Sequence, residues 1–213
     1  MRCNIVSRLA VVGVLSGLAL SASAADGGWY GGLSLGRSTN RFNTADFASG
    51  IPGVSESTNQ KDEAYKFFAG YQFNSNLGLE GGYTDLGKFS YNYSGATSAT
   101  STYKTHAWSL AATGTAPLGQ GFSLFGKLGL ALTRANDSIS DPGNLLAGAT
   151  TPALLGNSSH SRTAVMWGAG AEYAFNSRYS LRAEYEDYGR VGDSNSTGSA
   201  KDALWSMGLK VNF

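Results

Sequence analysis

The chain has 213 residues and a formal net charge of +1, and only 15% of its residues are charged, below the roughly 25% that is usual for soluble domains. There is no basic excess of the kind that nucleic-acid-binding proteins carry, so we expect no nucleic-acid partner. The single cysteine is Cys3, which excludes disulfides, thiolate catalysis and cysteine-ligated zinc from the rest of the chain.

The amino-terminal segment predicts an export signal. Two arginines precede the apolar run LAVVGVLSGLAL over residues 9–20, which is too short to span a bilayer as a helix. Small residues at Ala22 and Ala24 suit cleavage after Ala24. The alternative, a retained membrane anchor, would need a longer apolar segment. We therefore predict a cleaved signal peptide over residues 1–24 and one exported domain over residues 25–213.

After residue 24, apolar side chains recur with a period of two in segments of about ten residues, which is typical of β-strands. Eight such segments are predicted, over residues 28–38, 63–73, 77–89, 104–117, 122–134, 161–175, 179–191 and 202–213. Connections near residues 74–76, 118–121 and 176–178 are short. The others, near residues 39–62, 90–103, 135–160 and 192–201, are long and polar. This alternation favours an all-β fold, an eight-stranded antiparallel up-and-down transmembrane barrel with short periplasmic turns and long outer loops.

The two faces of the predicted strands differ in chemistry. The last strand has one continuous apolar face, formed by Trp205, Met207, Leu209, Val211 and Phe213. A soluble lipocalin-like barrel would turn such a face inward. The opposite face of other strands, however, carries charged residues that would not fit an apolar ligand cavity: Glu80, Lys127, Glu172, Arg182 and Glu184. The apolar face is therefore predicted to contact lipid, where a charge would cost about 2–4 kcal/mol.

Aromatic residues on the predicted lipid face recur eight residues apart, as in Tyr65 with Phe73 and Trp167 with Phe175. Eight residues on a tilted strand rise roughly 20 Å along the membrane normal, close to the height of the apolar band. We expect two aromatic girdles. The residues assigned to them are Trp29, Tyr65, Phe73, Trp108, Trp167, Tyr173 and Phe175.

Several segments resemble the membrane domain of the OmpA family: GGWYGGLSLG, GLEGGYTDLGK, GAGAEYAF, YSLRAEYEDYG and a terminal aromatic. The resemblance covers nearly the whole exported chain. It implies that Glu80, Glu172, Arg182 and Glu184 occupy interior positions whose salt bridges close the lumen. Thr113 stands where the family usually has a lysine partner, which places the family's switch in doubt. Because the chain stops at the last barrel strand, we expect no peptidoglycan-binding domain.

The predicted interior contains equal numbers of basic and acidic residues. Four predicted interior cations, Lys66, Lys127, Arg182 and Lys210, match four interior acids, Glu80, Glu172, Glu184 and Glu186. Unpaired charges in a closed lumen would be costly, so we expect mutual pairing. Arg182 is predicted to be the most connected member, with only Lys127 also central enough to pair with the acids, since a guanidinium can serve two carboxylates with fixed geometry.

We predict a non-catalytic outer-membrane barrel that contributes to envelope integrity and to surface interaction through its loops, with no cofactor, no metal and no catalytic residues. Expected partners are outer-membrane lipids, lipopolysaccharide and the barrel-assembly machinery, which reads an alternating last strand with a terminal aromatic; the protein is expected to be a monomer. Two alternatives remain open, a narrow porin for small solutes and a lipid A-modifying barrel enzyme. The enzyme would have to use His106 or His160.

Overall fold

The computed structural model describes residues 27–42, 51, 53–59, 61–143, 145–146, 157–193 and 198–213. The predicted signal peptide lies outside the described residues. Within them, no helix is long and apolar enough to cross a membrane.

The described chain forms one antiparallel sheet that closes on itself. Its strands are β1 (Gly28–Phe42), β2 (Ser55–Asn59), β3 (Lys61–Gln72), β4 (Leu77–Ser94), β5 (Ser98–Gly119), β6 (Phe122–Ser140), β7 (Ser158–Ala174), β8 (Tyr179–Asp193) and β9 (Gly198–Asn212). The order around the barrel is β1-β9-β8-β7-β6-β5-β4-β3, and β1 pairs with β3 to complete the ring. The short β2 pairs with the outer end of β4 while β3 pairs with its inner part, so the two occupy one position. The predicted eight-stranded barrel is confirmed.

Two of the periplasmic turns are held by the same hydrogen-bond pattern. In the β3–β4 turn, Oδ1 of Asn74 accepts the backbone N–H groups of Asn76 and Leu77, both at 2.9 Å. In the β7–β8 turn, Oδ1 of Asn176 accepts those of the residues two and three positions later, also at 2.9 Å. An asparagine side chain that bonds its own backbone in this way favours a tight turn.

The prediction of a long loop over residues 90–103 is wrong. β4 continues to Ser94 and β5 begins at Ser98, so only residues 95–97 connect them. Serine and threonine on the outward face make this stretch look like a loop, but Tyr91, Tyr93 and Tyr103 point inward and are almost completely buried. The inward tyrosines pack with one another, which stabilises strands that extend beyond the membrane.

Side chains on the outer surface and in the lumen follow the predicted alternation. The outward positions are large, apolar and exposed, as in Leu35 and Trp205, each 66% exposed. Most inward positions are small, polar or charged over the membrane-spanning part, and Phe68 and Phe125 are large apolar exceptions. A continuous apolar exterior would be insoluble in water and is what the hydrocarbon of a bilayer requires.

Apolar side chains close the lumen at two levels on the outer side. The first level contains Leu86, Met166, Tyr188 and Leu204 with three alanines, and all seven are buried. The second lies farther out and is built from Phe89 and the three inward tyrosines, with Leu146 packed against them. Ile51, Val54 and Leu145 from two outer loops also pack on this second level. These described residues of two outer loops are therefore attached to the barrel by apolar contacts.

Candidate functional site

A cluster of three cations and three carboxylates crosses the lumen within the membrane-spanning part of the barrel. Its members, here called the central cluster, are Lys66, Glu80, Lys127, Arg182, Glu184 and Glu186. They come from β3, β4, β6 and β8, and each is 5% exposed or less. The alternating burial of each strand places them inward, and the formal charges of the cluster cancel.

Glu80 on β4 accepts hydrogen bonds from three other strands. Nη1 of Arg182 lies 2.6 Å from its Oε2, and Nζ of Lys127 lies 2.8 Å from its Oε1. The hydroxyl of Tyr30 on β1 also donates to Oε2 at 3.2 Å. Nζ of Lys66 adds a longer ion pair at 3.6 Å. Glu80 therefore links β1, β3, β6 and β8 through one carboxylate.

Glu184 and Glu186 lie together on β8 and are served by two lysines. Nζ of Lys66 is 2.6 Å from Glu184 Oε1 and 2.9 Å from Glu186 Oε1. Nζ of Lys127 is 2.7 Å from Glu184 Oε2 and 2.9 Å from Glu186 Oε1. Glu186 Oε2 also accepts a hydrogen bond from the Tyr188 hydroxyl at 3.0 Å. Two neighbouring acids on one strand are thus neutralised by cations from two other strands.

The guanidinium of Arg182 lies between two aromatic rings. It is 4.0 Å from the ring centroid of Phe125 and 4.9 Å from that of Phe68. Planar guanidinium groups stack favourably on aromatic faces, and such contacts gain strength where water is excluded. The rings hold Arg182 in the position from which it reaches Glu80 and, at 3.4 Å, Glu184.

The expectation that Arg182 is the most connected cation is wrong. Arg182 contacts two carboxylates, whereas Lys66 and Lys127 each contact three. Lys66 was assigned to the lumen but not to its centre, because alternation along a strand reveals the face and not the register across the barrel. Thr113 lies directly opposite Lys127 in the β5–β6 pairing. The cation that the family resemblance places on β5 is supplied here from the adjacent strand.

Glu172 does not belong to the central cluster. It forms a separate, partly exposed ion pair with Lys210, whose Nζ lies 2.8 Å from Glu172 Oε1. This Nζ also lies 4.6 Å from the ring centroid of Tyr30. Arg182, directly opposite Glu172 in the β7–β8 register, is turned toward the phenylalanines and Glu80, which leaves Glu172 to the lysine of β9. The predicted network is therefore divided into two groups.

The aromatic side chains on the lipid face form an upper and a lower belt. Tyr65, Trp108 and Trp167 of the predicted girdles lie in the upper belt, together with Trp205. Two upper contacts are Tyr83 with Trp108 at 4.9 Å and Tyr185 with Trp205 at 4.9 Å between ring centroids. The remaining predicted members lie in the lower belt: Trp29, Phe73, Tyr173 and Phe175.

Most aromatic residues of the two belts that are missing from the sequence prediction are tyrosines. Tyr83 and Tyr185 complete the upper belt, and Tyr71 lies 5.2 Å from Trp29 in the lower one. Each occupies an outward position of its strand, so the alternation pattern contained the signal.

The last strand presents the five residues of the predicted assembly signal on the lipid face. Trp205, Met207 and Leu209 are 66%, 58% and 40% exposed, and Val211 and Phe213 are partly exposed. The backbone N–H of Phe213 donates to the carbonyl of Trp29 at 2.9 Å. The strand therefore has the geometry that an assembly signal requires, and its recognition stays a prediction.

The two histidines lie on different strands, His106 on β5 and His160 on β7. His106 packs near the upper belt, 6.2 Å from the Tyr83 ring, and lies opposite Arg134 in the β5–β6 register. The described residues contain no grouping of three His, Cys, Asp or Glu side chains that could hold a metal ion.

A closed antiparallel barrel with an apolar exterior, two aromatic belts and a charged lumen defines an integral β-barrel protein of the bacterial outer membrane. The chain belongs to the OmpA-like transmembrane domain family, whose sequence model matches residues 24–213.

Curated relatives agree with this assignment. Outer membrane protein A of Shigella flexneri is 29% identical over 211 residues, and that of Yersinia pseudotuberculosis is 31% identical over 210. Both alignments cover 96% of this chain but 55% and 54% of the relatives, so the chain spans about half their length.

Solved structures show the same fold. Neisserial surface protein A matches with a TM-score of 0.58 at 15% identity, over 87% of this chain and 97% of that one. OprG of Pseudomonas aeruginosa matches with a TM-score of 0.53 at 15% identity, over 89% and 96%. These comparisons confirm the predicted family, fold and outer-membrane location.

Proposed function

We infer that the protein is a non-catalytic structural barrel that contributes to envelope integrity and carries outer loops for surface interaction. The observation that carries this is the central cluster, in which three cations and three acids neutralise one another across the lumen. Breaking a buried pair by removing one partner costs about 3–5 kcal/mol. A solute would have to separate several such pairs in order to pass.

The apolar level above the central cluster supports a sealed lumen. Leu86, Met166 and Leu204 are fully buried there. Tyr188, which belongs to the same level, connects it to the central cluster, because its hydroxyl forms hydrogen bonds with Glu186 and Thr84. Water gains no hydrogen-bond partners from an apolar constriction. An ion would therefore meet an apolar constriction next to a cluster whose formal charges cancel.

The outer extension of the barrel supports a role in presenting loops. β4, β5 and β6 continue past the upper belt, and their inward tyrosines pack against Val54 and Leu146 of two outer loops. Oδ1 and Oδ2 of Asp141 accept the backbone N–H groups of Leu145 and Leu146 at 2.8 and 2.7 Å. The described residues at the bases of these loops are thus fixed to the barrel, which lowers the entropic cost of binding a partner there.

The integrity role is tested by comparing a deletion strain with the same strain carrying the gene in trans. We expect the deletion to increase uptake of a large hydrophobic antibiotic and shedding of vesicles, and the gene to restore both to the parental level. Unchanged uptake and vesiculation would contradict the proposal. A complementing Arg178→Ser variant, altered at an exposed site in the β7–β8 turn, controls for expression level.

The narrow porin is the first alternative, and single-channel recording distinguishes it. In planar bilayers the folded wild-type protein is expected to be nearly silent, whereas steady conductance would establish the porin and overturn the sealed lumen. Samples should be checked for heat-modifiable gel mobility, because unfolded protein also gives silent traces.

The lipid A-modifying enzyme is the second alternative. Among the described residues, neither His106 nor His160 forms a hydrogen bond to a serine or carboxylate side chain, as an imidazole that activates a nucleophile would. Mass spectrometry of lipid A from deletion and expressing strains tests this directly. A change in acyl composition that depends on His106 would establish an enzyme.

A further inference from the structure

A six-residue pattern occurs twice in the chain, once in the middle of β4 and once near the outer end of β8. The two copies read YTDLGK (83–88) and YEDYGR (185–190), and they share the pattern Tyr-x-Asp-x-Gly followed by Lys or Arg. β4 and β8 are separated by three strands in each direction around the barrel. The two copies therefore lie on opposite sides of the barrel.

Both copies form a β-bulge of the same geometry. The glycines have positive φ values, 84° at Gly87 and 73° at Gly189, a conformation that favours glycine. Each glycine N–H donates to Oδ1 of the aspartate two residues earlier, at 2.8 Å in both copies. The strand register shifts between Asp85 and Lys88 and between Asp187 and Arg190. The bulge turns the cation that follows it to the outside of the barrel.

Each bulge places its cation directly opposite a second cation on the neighbouring strand. Lys88 pairs in register with Lys104 on β5, and Arg190 pairs with Lys201 on β9. All four side chains are exposed. Within the described residues, none of the four side chains forms an ion pair with a carboxylate, although Oδ2 of Asp62 accepts the backbone N–H of Lys88 at 2.7 Å. Like charges directly opposite one another destabilise a sheet, so two such pairs at equivalent sites favour the binding of an anion.

The two cation pairs lie just above the upper aromatic belt. Tyr83 and Tyr185, the first residues of the two motifs, are themselves belt members. Lys104 precedes Trp108 by four residues and Lys201 precedes Trp205 by four residues, each on the same face as its tryptophan and on its outer side. Four residues on a tilted strand correspond to about 10 Å along the membrane normal. This is the level of lipid headgroups, which flexible lysine side chains can also reach by bending toward the membrane.

Charge complementarity and height together identify the ligand class. We propose that the outer cation pairs, Lys88 with Lys104 and Arg190 with Lys201, bind the phosphate groups of lipopolysaccharide in the outer leaflet. Arg134 on β6, exposed and diagonal to Lys104, extends the first pair. This assigns a ligand to the outer wall and is independent of the sealed lumen, so failure of either proposal leaves the other unaffected.

The proposal is tested with purified, folded protein in detergent by native mass spectrometry. The probes are bisphosphorylated lipid A and the same lipid after enzymatic removal of both phosphates. We expect the wild type to bind the bisphosphorylated lipid at least tenfold more tightly. The double variants Lys88→Ser/Lys104→Ser and Arg190→Ser/Lys201→Ser should each lose about ten- to thirtyfold in affinity, since each cation near an anionic lipid surface contributes about 1 kcal/mol.

Two matched controls make the result specific. Lys104→Ser and Arg178→Ser each remove one exposed cation, but Arg178 lies in the β7–β8 turn at the periplasmic end, so only the first should weaken binding. Lys88→Arg/Lys104→Arg should retain it. Equal binding of the dephosphorylated lipid, or equal weakening by Arg178→Ser, would overturn the proposal. Preference for a soluble sulfated polysaccharide over lipid A, lost in the same double variants, would also overturn it.

Discussion

Nζ of Lys66 on β3 lies 2.6 Å from Oε1 of Glu184 on β8, and this contact joins two strands that are not neighbours in the sheet. Both side chains are almost completely buried. Lys66→Met should therefore destabilise the barrel, because Glu184 and Glu186 would share the single remaining lysine. We expect a loss of about 3–5 kcal/mol, measured by urea unfolding in lipid vesicles. Lys61→Met, at an exposed position of the same strand, should change the free energy of unfolding little. Equal losses in the two variants would show that the central cluster does not stabilise the barrel.

Arg182→Ala should open the lumen without unfolding the barrel. The change removes the 2.6 Å contact to Glu80 and empties the space between Phe68 and Phe125. Water can then hydrate Glu80, so channel openings in planar bilayers should become larger or more frequent than in the nearly silent wild type. Lys210→Ala breaks only the peripheral pair with Glu172 and should leave the traces unchanged. An Arg182→Ala trace identical to wild type would contradict a seal at this level.

Deleting Phe213 should impair insertion into the outer membrane. The residue ends the exposed apolar face of β9, and its backbone N–H bonds to Trp29 on β1. We expect less heat-modifiable protein in outer-membrane fractions and more in the soluble periplasm. Phe213→Tyr keeps both the aromatic ring and the backbone and should insert normally. Wild-type levels of the truncated protein would show that the assembly machinery does not depend on this residue.

The outer extension should become less stable as the pH rises through about 6. Burial raises the pKa of Asp137 to about 6, although Ser101 donates a hydrogen bond to it at 2.6 Å. The protonated carboxyl is thus favoured by folding. Its contribution is fully present below about pH 4, where the unfolded side chain is also protonated, and is lost as pH rises through the folded pKa. Hydrogen exchange in residues 98–104, corrected for intrinsic rates, should be faster at pH 7.5 than at pH 5. Asp137→Asn should remove the difference.

Alternation with period two was sufficient to predict the barrel, its lipid face and the inward direction of every central-cluster member. It could not give the register across the lumen, which depends on strand tilt and on bulges such as those after Asp85 and Asp187. For this reason the sequence pattern does not reveal the central position of Lys66 or the separate pairing of Glu172 with Lys210. The outer extension was missed for a different reason. Its serines and threonines face outward, and only their alternation with Tyr91, Tyr93 and Tyr103 distinguishes a strand from a loop.

The composition of the central cluster also has a consequence for how the barrel matures. Its charges come from four strands, of which only β3 and β4, with Lys66 and Glu80, form a hairpin, so no hairpin alone can bring together all six charges. A partly formed sheet must keep these groups hydrated, and they can lose their water only when closure brings all four strands together. A slip of one residue in any of these strands would turn a lysine or glutamate toward hydrocarbon. Correct register, closure and dehydration of the interior are therefore coupled, because incorrectly paired strands cannot pair these charges.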